Sequence, residues 1–140
     1  MDYNLPEDIV DMHRKFGVNE WIAKQIEEKN HDNLKAFLNF RLKFLVEELS
    51  ETQTAFREGN SEEVVDGLID IIVVALGTLN AFDVDIFKAW AQVHSANISK
   101  NVGIKESRPN PLGLPDLIKP DNWIGPDHAD NTGQLPLCFK

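Results

Sequence analysis

The sequence predicts an all-α fold, a bundle of four to five helices with an extended, proline-rich segment packed on it. Apolar residues recur at helical spacing in several segments before residue 103. Six of the seven prolines follow that point, where helical periodicity is nearly absent. The 140 residues suffice for one domain with a single core, which we divide into a helical part, residues 1–103, and a tail, residues 104–140.

Five segments with helical spacing are predicted as helices: residues 7–16, 19–29, 32–57, 61–82 and 86–103. Ser61 is the predicted N-cap of the fourth helix. The half of that helix after Asp70 is apolar on every side, so it must be covered all round. Because a monomer of this length would leave it too exposed, we expect a homodimer or a homotetramer.

The charge and cysteine content exclude several classes of protein. Acidic residues outnumber basic ones by 23 to 14, and the net charge is −9. With no run of basic residues, the chain is a poor candidate for binding nucleic acid or a membrane surface. The single cysteine, Cys138, excludes an intrachain disulfide and a cysteine metal site. Because the N-terminus lacks the basic and apolar regions of a signal peptide, we expect a cytoplasmic protein, in the host cytoplasm if it is viral.

Carboxylates lie where a helical core should have none. On helices of about 3.6 residues per turn, the third and fourth predicted helices each carry three acids on one side. They are Glu47, Glu48 and Glu51 on the third helix and Glu63, Asp66 and Asp70 on the fourth. The break at residues 59–61 is short enough for the two helices to pack antiparallel, which would place the two acidic groups opposite each other.

Facing carboxylates in an apolar interface are costly unless a cation lies between them. An oxygen-only ligand set points to hard divalent ions, Mg²⁺ or Mn²⁺, with positions left open for water and phosphate oxygens. This set therefore indicates phosphate chemistry. The alternative is that Glu47, Glu62 and Glu63 are solvated surface acids, which suits Glu62 in the first turn of its helix. It does not suit Asp70, because the seven residues that follow have no polar side chain.

The pattern Glu47-Glu48-x-x-Glu51, followed by a second acid-bearing helix, resembles the metal motif of the all-α nucleoside triphosphate pyrophosphohydrolases. These are the MazG-like proteins, with phosphoribosyl-ATP pyrophosphohydrolase and dimeric dUTPase as relatives. The family's Glu-x-x-Asp on the second helix fits in two registers. One pairs Glu63 with Asp66, and the other uses Asp70, with Asp66 replacing a glutamate expected at Gly67. Further segments are similar to the phage and bacterial branch of the family, namely residues 12–17, 40–44, 74–78, 93–100 and 119–127.

The resemblance implies hydrolysis between the α- and β-phosphates of a (deoxy)nucleoside triphosphate, which releases the monophosphate and pyrophosphate. A metal-activated water would attack the α-phosphorus. The implied metal ligands are Glu48, Glu51, Asp66 and Asp70. Glu47 or Glu63 could be a further ligand or the general base.

Other residues could contact the substrate. Asn97 and Lys100, one helical turn apart, could hold phosphate or sugar oxygens. Arg41 or Lys43 could meet the outgoing pyrophosphate. Lys100 could equally be a solvated surface residue. Trp123 could stack on a base or simply anchor the tail.

Two alternatives stay open from the sequence. The substrate could be phosphoribosyl-ATP or dUTP, with the same metal chemistry. The chain could also be a non-catalytic helical module whose acids hold structural ions, although a structural ion would more often be enclosed by protein ligands. A P-loop enzyme is excluded, because no glycine in the chain is followed by lysine.

Overall fold

The computed structural model describes residues 2–108, 112 and 116–140. The chain divides into two compact units. The first contains the residues up to Ile86 together with Thr132–Lys140, and the second contains Phe87–Asn131. The predicted division after residue 103 into a helical part and a tail stays a prediction. Residues 109–111 and 113–115 of the predicted tail lie outside the described residues.

The described residues form five helices and one two-stranded sheet, which confirms the predicted all-α class and is consistent with a helical bundle. The helices are α1 (Leu5–Lys15), α2 (Val18–Glu27), α3 (His31–Arg57), α4 (Ser61–Ala81) and α5 (Ile86–Ile98). In the first unit α3 packs along α4, while α1 and α2 pack against both each other and this pair.

Asparagine side chains set the first residues of three helices. The side-chain oxygen of Asn4 accepts a hydrogen bond from the backbone N–H of Glu7 at the start of α1. Asn30 and Asn60 do the same at the start of α3 and α4, at 3.1 and 3.2 Å. Each bond satisfies an N–H that the helix itself leaves without an acceptor. The predicted N-cap of α4, Ser61, was therefore wrong by one residue, since Asn60 takes that position.

The core of the first unit includes residues from the far end of the sequence. One cluster of buried side chains in it consists of Ile22, Leu34, Ala81, Phe82 and Cys138. Cys138 belongs to a short 3₁₀ helix, Leu135–Phe139, that packs against α3. Residues 132–140 therefore complete the hydrophobic core built by α2, α3 and α4.

A glycine allows this returning segment to approach the end of α4. Gly133 has a positive φ of 52°, and a Cβ atom there would overlap the carbonyl oxygen of Phe82 and lie 2.8 Å from the carbonyl carbon of Asp83. The next residue, Gln134, donates its backbone N–H to the Phe82 carbonyl oxygen at 2.6 Å. Only glycine combines this conformation with so close a backbone approach.

The second unit departs from the predicted helix 86–103. Helix α5 ends at Ile98, and Asn101–Gly103 forms strand β1, which pairs antiparallel with strand β2, Asp116–Ile118. Arg108 donates to both carboxylate oxygens of Asp116, at 2.8 and 2.9 Å from Nη2. The chain leaves the helix early because the backbone groups of residues 101–103 find partners far along the sequence.

Helix α4 is apolar enough to need a cover that the first unit does not supply. By length and composition alone it could cross a membrane, with a mean hydropathy of 1.8 in its most apolar stretch, of which 28% is buried. Core helices of soluble proteins meet the same criterion. Asp66 and Asp70, which lie on α4, would be costly in a bilayer. Its composition is therefore weak evidence for a membrane span.

Candidate metal centre between α3 and α4

The two acid-bearing helices run antiparallel and lie close together at a position where one side chain is missing. Thr52 on α3 faces Gly67 on α4, while Arg41, earlier on α3, bonds Thr78, later on α4. A Cβ atom on Gly67 would overlap the Thr52 hydroxyl and lie 3.1 Å from the Thr52 Cβ atom. The hydroxyl is itself fixed, since it donates to the Glu48 carbonyl oxygen at 2.7 Å. Gly67 thus lets the helices approach at the level of the acids.

Glu48 lies at the centre of the acidic group. Partial removal from water raises the pKa of its carboxyl, and the negative charges of Glu51, Asp70, Glu47 and Asp66 raise it further. Two of these neighbours lie on α3 and two on α4. The structure therefore brings the charges of five of the six predicted acids together across the helix interface.

No cation of the described residues offsets this charge. Within the described chain, one ion pair joins Arg14 to Asp11, and two others lie in the second unit. None of them involves the acids of α3 or α4. As their side chains stand, no three Asp, Glu, His or Cys side chains of the described residues form a set that could hold a metal ion. The negative charges of the other acids act on Glu48, and these side chains are largely open to solvent. Rotation about their side-chain bonds could therefore bring the carboxylates together.

Glu63 lies near the end of the helix pair, close to Glu51 rather than to Glu48. Its charge is not among those that raise the pKa of Glu48. Together with Glu51, Thr54 and Glu58 it lines a shallow cavity of about 220 Å³ next to the connection between α3 and α4. Glu63 is therefore positioned beside Glu51 and nearer the end of the helix pair.

The guanidinium of Arg41 forms hydrogen bonds within the interface between α3 and α4. Its Nε donates to the Thr78 hydroxyl and its Nη2 to the Val74 carbonyl oxygen, both at 3.0 Å. A Cβ atom on Gly77 would lie only 2.5 Å from that Nη2, so this glycine makes room for the guanidinium. Burial lowers the pKa of Arg41 from its usual value. Because that usual value is very high, the guanidinium stays charged at neutral pH.

These bonds join α3 to α4 about 6 Å (Val74) and about 12 Å (Thr78) along the helix axis from Asp70, at 1.5 Å per residue. Contact between Arg41 and an outgoing pyrophosphate stays a prediction. Lys43 is exposed on α3, one turn before Glu47 on the same face. Of the two predicted pyrophosphate contacts, Lys43 is the one whose ammonium group the interface does not use.

The remaining predicted contacts belong to the second unit. Trp123 donates its indole Nε1–H to the Ala96 carbonyl oxygen at 2.9 Å and to the Ser99 hydroxyl at 3.0 Å. The Nζ of Lys100 lies 5.2 Å from the centre of the indole ring. The structure thus brings together Trp123 and Lys100, while Asn97 is exposed on α5.

Sequence reasoning missed three residues that shape these sites. Gly67 was considered only as a place where a glutamate was expected, and Thr52 was not considered. The signal that could have found them is a lone glycine within an apolar helix, which often marks a close helix contact. Lys119, whose Nζ lies 4.9 Å from the Trp123 ring centre, belongs to the segment 119–127 that resembles the family, but no sequence pattern singles it out.

A comparison with protein families identifies the chain. The family model described as phosphoribosyl-ATP pyrophosphohydrolase matches residues 17–97, which is more than half of the chain and includes both acid-bearing helices. Neither the curated proteins nor the solved structures give a match. The match to this family supports the assignment of the chain as a pyrophosphohydrolase, a hydrolase that acts on acid anhydrides. The chain therefore belongs to the phosphoribosyl-ATP pyrophosphohydrolase family, part of the all-α MazG-like nucleoside triphosphate pyrophosphohydrolase superfamily.

Proposed function

We propose that this protein hydrolyses (deoxy)nucleoside triphosphates to the monophosphate and pyrophosphate in a reaction that requires Mg²⁺. The observation that carries the proposal is the position of Glu48, whose carboxyl lies in the combined electric field of four other carboxylates on two antiparallel helices. No described lysine or arginine forms an ion pair with this group. Such uncompensated charge is suited to a divalent cation and to the phosphates that the cation accompanies.

The donor set fits Mg²⁺, with Mn²⁺ as a possible substitute, because it consists of carboxylate oxygens alone. Glu48 and Glu51 from α3 and Asp66 and Asp70 from α4 would hold the ion or ions. When bound, the cation offsets the negative charge of the phosphates and makes a bound water more acidic. Gly67 lets α3 and α4 approach at this level, so that rotation of the four side chains could bring their carboxylates together.

A fifth carboxylate would act as the general base. Glu47, whose charge reaches Glu48, and Glu63, which lines a cavity with Glu51, are the two candidates. The base takes one proton from water as the water oxygen forms a bond to the α-phosphorus. The bond from the α-phosphorus to the oxygen that bridges to the β-phosphate breaks, and pyrophosphate leaves with that oxygen.

A second substrate is favoured by the family itself. The matching family model is described by its action on phosphoribosyl-ATP, in which the same α–β phosphoanhydride is cleaved. The metal chemistry is identical for this substrate and for dUTP. The substrates differ in the groups that must fit around the sugar and the base, so a substrate panel separates them.

The active form is proposed to be a homodimer or a homotetramer. Large apolar side chains are exposed along the two acid-bearing helices: Val46 and Leu49 on α3, and Val65, Leu68, Ile69 and Ile72 on α4. Contiguous apolar surface of this kind is uncommon on monomers and is usually covered by a partner. Sedimentation equilibrium would measure the mass directly, and a monomer at micromolar concentration would contradict this part of the proposal.

The function is tested by incubating the purified protein with ribo- and deoxynucleoside triphosphates, dUTP and phosphoribosyl-ATP, in Mg²⁺ or in EDTA. Products are resolved by ion-exchange chromatography. We expect monophosphate and pyrophosphate in equal amounts, only with Mg²⁺. Glu48→Gln should abolish turnover, whereas Glu62→Gln, the same change at an exposed acid in the first turn of α4, should not. Unimpaired turnover by Glu48→Gln would overturn the assignment.

The position of attack is tested with the same reaction in ¹⁸O-labelled water. Attack on the α-phosphorus places the label in the monophosphate, while attack on the β-phosphorus places it in pyrophosphate. Mass spectrometry of the products distinguishes the two. Absence of turnover on every substrate would favour the non-catalytic, metal-stabilised helical module.

A further inference from the structure

Two side-chain contacts join α3 to α4 at equal intervals along both helices of the first unit. Thr52 lies against Gly67, and Arg41 bonds Thr78. Eleven residues separate the two contacts on each helix, from 41 to 52 on α3 and from 67 to 78 on α4. Because this interval completes about three turns, both contacts lie on the same face of each helix. The two contacts therefore fix one antiparallel register between the helices.

The candidate metal ligands lie between these contacts or next to them. Glu48 and Glu51 fall between the contacts on α3, Asp70 falls between them on α4, and Asp66 is next to Gly67. A shift of one residue along either helix would move a carboxylate by about 1.5 Å along the axis and by about 100° around it. Such a shift would change which charges act on Glu48. The register therefore decides which carboxylates can share an ion.

The contact at Arg41 is a closed set of hydrogen bonds. Its Nε donates to the Thr78 hydroxyl and its Nη2 to the Val74 carbonyl oxygen, both at 3.0 Å. The Thr78 hydroxyl in turn donates to the same Val74 oxygen at 2.7 Å. Thr78 is only 7% exposed, so water does not readily replace these bonds. A planar guanidinium that forms two bonds also fixes orientation, which a single bond does not.

Packing leaves the guanidinium little room to take another position. The Phe37 ring centre lies 5.9 Å from the Cζ atom of Arg41. A Cβ atom on Gly77 would lie 2.5 Å from Arg41 Nη2 and 2.8 Å from Nε2 of the buried His13, so both groups pack against this glycine. In the described part of the chain no carboxylate pairs with Arg41. Hydrogen bonds to α4, rather than an ion pair, therefore hold the guanidinium.

We propose that Arg41 and Thr78 are positioning residues for the metal centre, which hold α3 and α4 in the register that lets Glu48 and Asp70 bind one ion. The inference rests on the proposed function for the presence of that ion. Gly67 allows the close approach at one end of the acidic group, and the bonded pair fixes the helices at the other end. Without the pair, the helices shift or separate at that end while the protein stays folded. The ligand geometry, and with it the metal affinity, is then lost.

Thr78→Val and Thr78→Ser form a matched pair of variants. Valine has the shape of threonine without the hydroxyl, so the Nε of Arg41 loses its acceptor. Serine keeps the hydroxyl and loses only the methyl group. Arg41→Lys keeps the charge but lacks the planar fork that forms both bonds. If the bonds set the register, Thr78→Val and Arg41→Lys weaken metal binding alike, and Thr78→Ser does not.

Metal affinity is measured by Mn²⁺ titration and electron paramagnetic resonance, with circular dichroism to establish that each variant is folded at the temperature used. We expect Thr78→Val and Arg41→Lys to raise the Mn²⁺ Kd roughly tenfold, the lower end of the cost of losing residues that orient metal ligands. Thr78→Ser should stay within about threefold of the wild-type Kd. A folded Thr78→Val protein with the wild-type Kd would overturn the proposal, and so would an equal loss in Thr78→Ser.

Inhibition by pyrophosphate separates this role from contact with the product. A positioning residue acts through the acids, so turnover at saturating substrate should fall in Thr78→Val as it does in Arg41→Lys. If Arg41 instead meets the outgoing pyrophosphate, Arg41→Lys weakens inhibition by pyrophosphate and leaves Mn²⁺ binding unchanged. That result would overturn the positioning role.

The outcomes also separate this inference from the proposed function. If the wild type binds no Mn²⁺ and hydrolyses no triphosphate, the proposed function fails and the positioning role fails with it. If the wild type binds Mn²⁺ and Thr78→Val binds it equally well, only the positioning role fails. A double-mutant cycle of Arg41→Lys and Thr78→Val in EDTA tests the contact without metal. We expect the double variant to lower the melting temperature by less than the sum of the single changes, whereas additive losses would overturn the contact.

Discussion

Gly67→Ala tests the close approach of α3 and α4 beside the acids. The added methyl group would overlap the Thr52 hydroxyl and lie 3.1 Å from the Thr52 Cβ atom, with the Thr52 Cα atom at 3.5 Å. Rotation of the threonine does not remove this overlap easily, since its hydroxyl is held by the Glu48 carbonyl oxygen. The helices must move apart, and the acids move with them.

Two opposing terms determine the size of the effect. Alanine within a helix is favoured over glycine by about 1 kcal/mol, while overpacking of an interface costs about 1 to 3 kcal/mol. We therefore expect Gly67→Ala to lower the free energy of unfolding by up to about 2 kcal/mol. The measurement is urea denaturation followed by circular dichroism, in EDTA so that metal binding makes no contribution.

A double-mutant cycle separates the overlap from helix propensity. Thr52→Ala removes the hydroxyl that the new methyl group meets, so the double variant should be more stable than the sum of the single changes by about 1 kcal/mol. Thr54→Ala is the control, because its hydroxyl also donates to a carbonyl one turn earlier, that of Ser50, but is exposed. A Gly67→Ala protein that is more stable than the wild type, with no coupling to Thr52, would refute the described approach.

Three further predictions concern stability. Without metal, Glu48→Gln should raise the melting temperature by roughly one to two degrees, because it relieves repulsion among the acids; an unchanged or lower value in a thermal melt would contradict this. Burial and the charge of Arg41 lower the pKa of His13 in the folded protein from 6.5. As the pH falls, the His13 imidazole is therefore protonated in the unfolded chain before it is protonated in the folded protein, and the free energy of unfolding decreases below about pH 6.5. Urea denaturation at pH 7 and pH 5 should show a smaller loss for His13→Leu than for the wild type, and equal losses would disprove the effect. Gly133→Ala should destabilise the first unit by more than 1 kcal/mol, since its Cβ would meet backbone atoms of Phe82 and Asp83; unaltered urea denaturation would show that the returning segment is not held there.

The helices could be predicted because their signals are local. Helix α3 ends at Arg57 and helix α4 begins at Ser61, as predicted, because Gly59 and Asn60 interrupt the periodicity between them. The error at the N-cap of α4 has the same origin, because both Asn60 and Ser61 are favoured capping residues and only the backbone conformation decides between them.

Features that depend on distant partners were not predictable in this way. Strands of three residues, Asn101–Gly103 and Asp116–Ile118, are too short to show alternation, and their pairing joins segments that are far apart in sequence. The return of Leu135–Phe139 to the core depends on Gly133 and on a groove formed by α2, α3 and α4. Neither segment has a local sequence pattern from which its contact partner could be predicted.

The candidate metal centre lies between these cases. Helical spacing predicted that Glu48, Glu51, Asp66 and Asp70 would lie on facing sides, and the structure brings the charges of the other three to bear on Glu48. Their role as ligands stays a prediction. The approach of the helices at Gly67 could not be predicted, because it depends on which residue of α3 lies opposite, and that register is a property of the packed pair.

The account depends above all on the claim that the facing carboxylates of α3 and α4 bind a divalent cation. The direct test is Mn²⁺ titration followed by electron paramagnetic resonance, in which bound ions lose the signal of free Mn²⁺. We expect the wild type and Glu62→Gln to bind alike, and Glu48→Gln to bind roughly tenfold more weakly or not at all. Mn²⁺ binding by Glu48→Gln with the affinity and stoichiometry of the wild type would contradict the account.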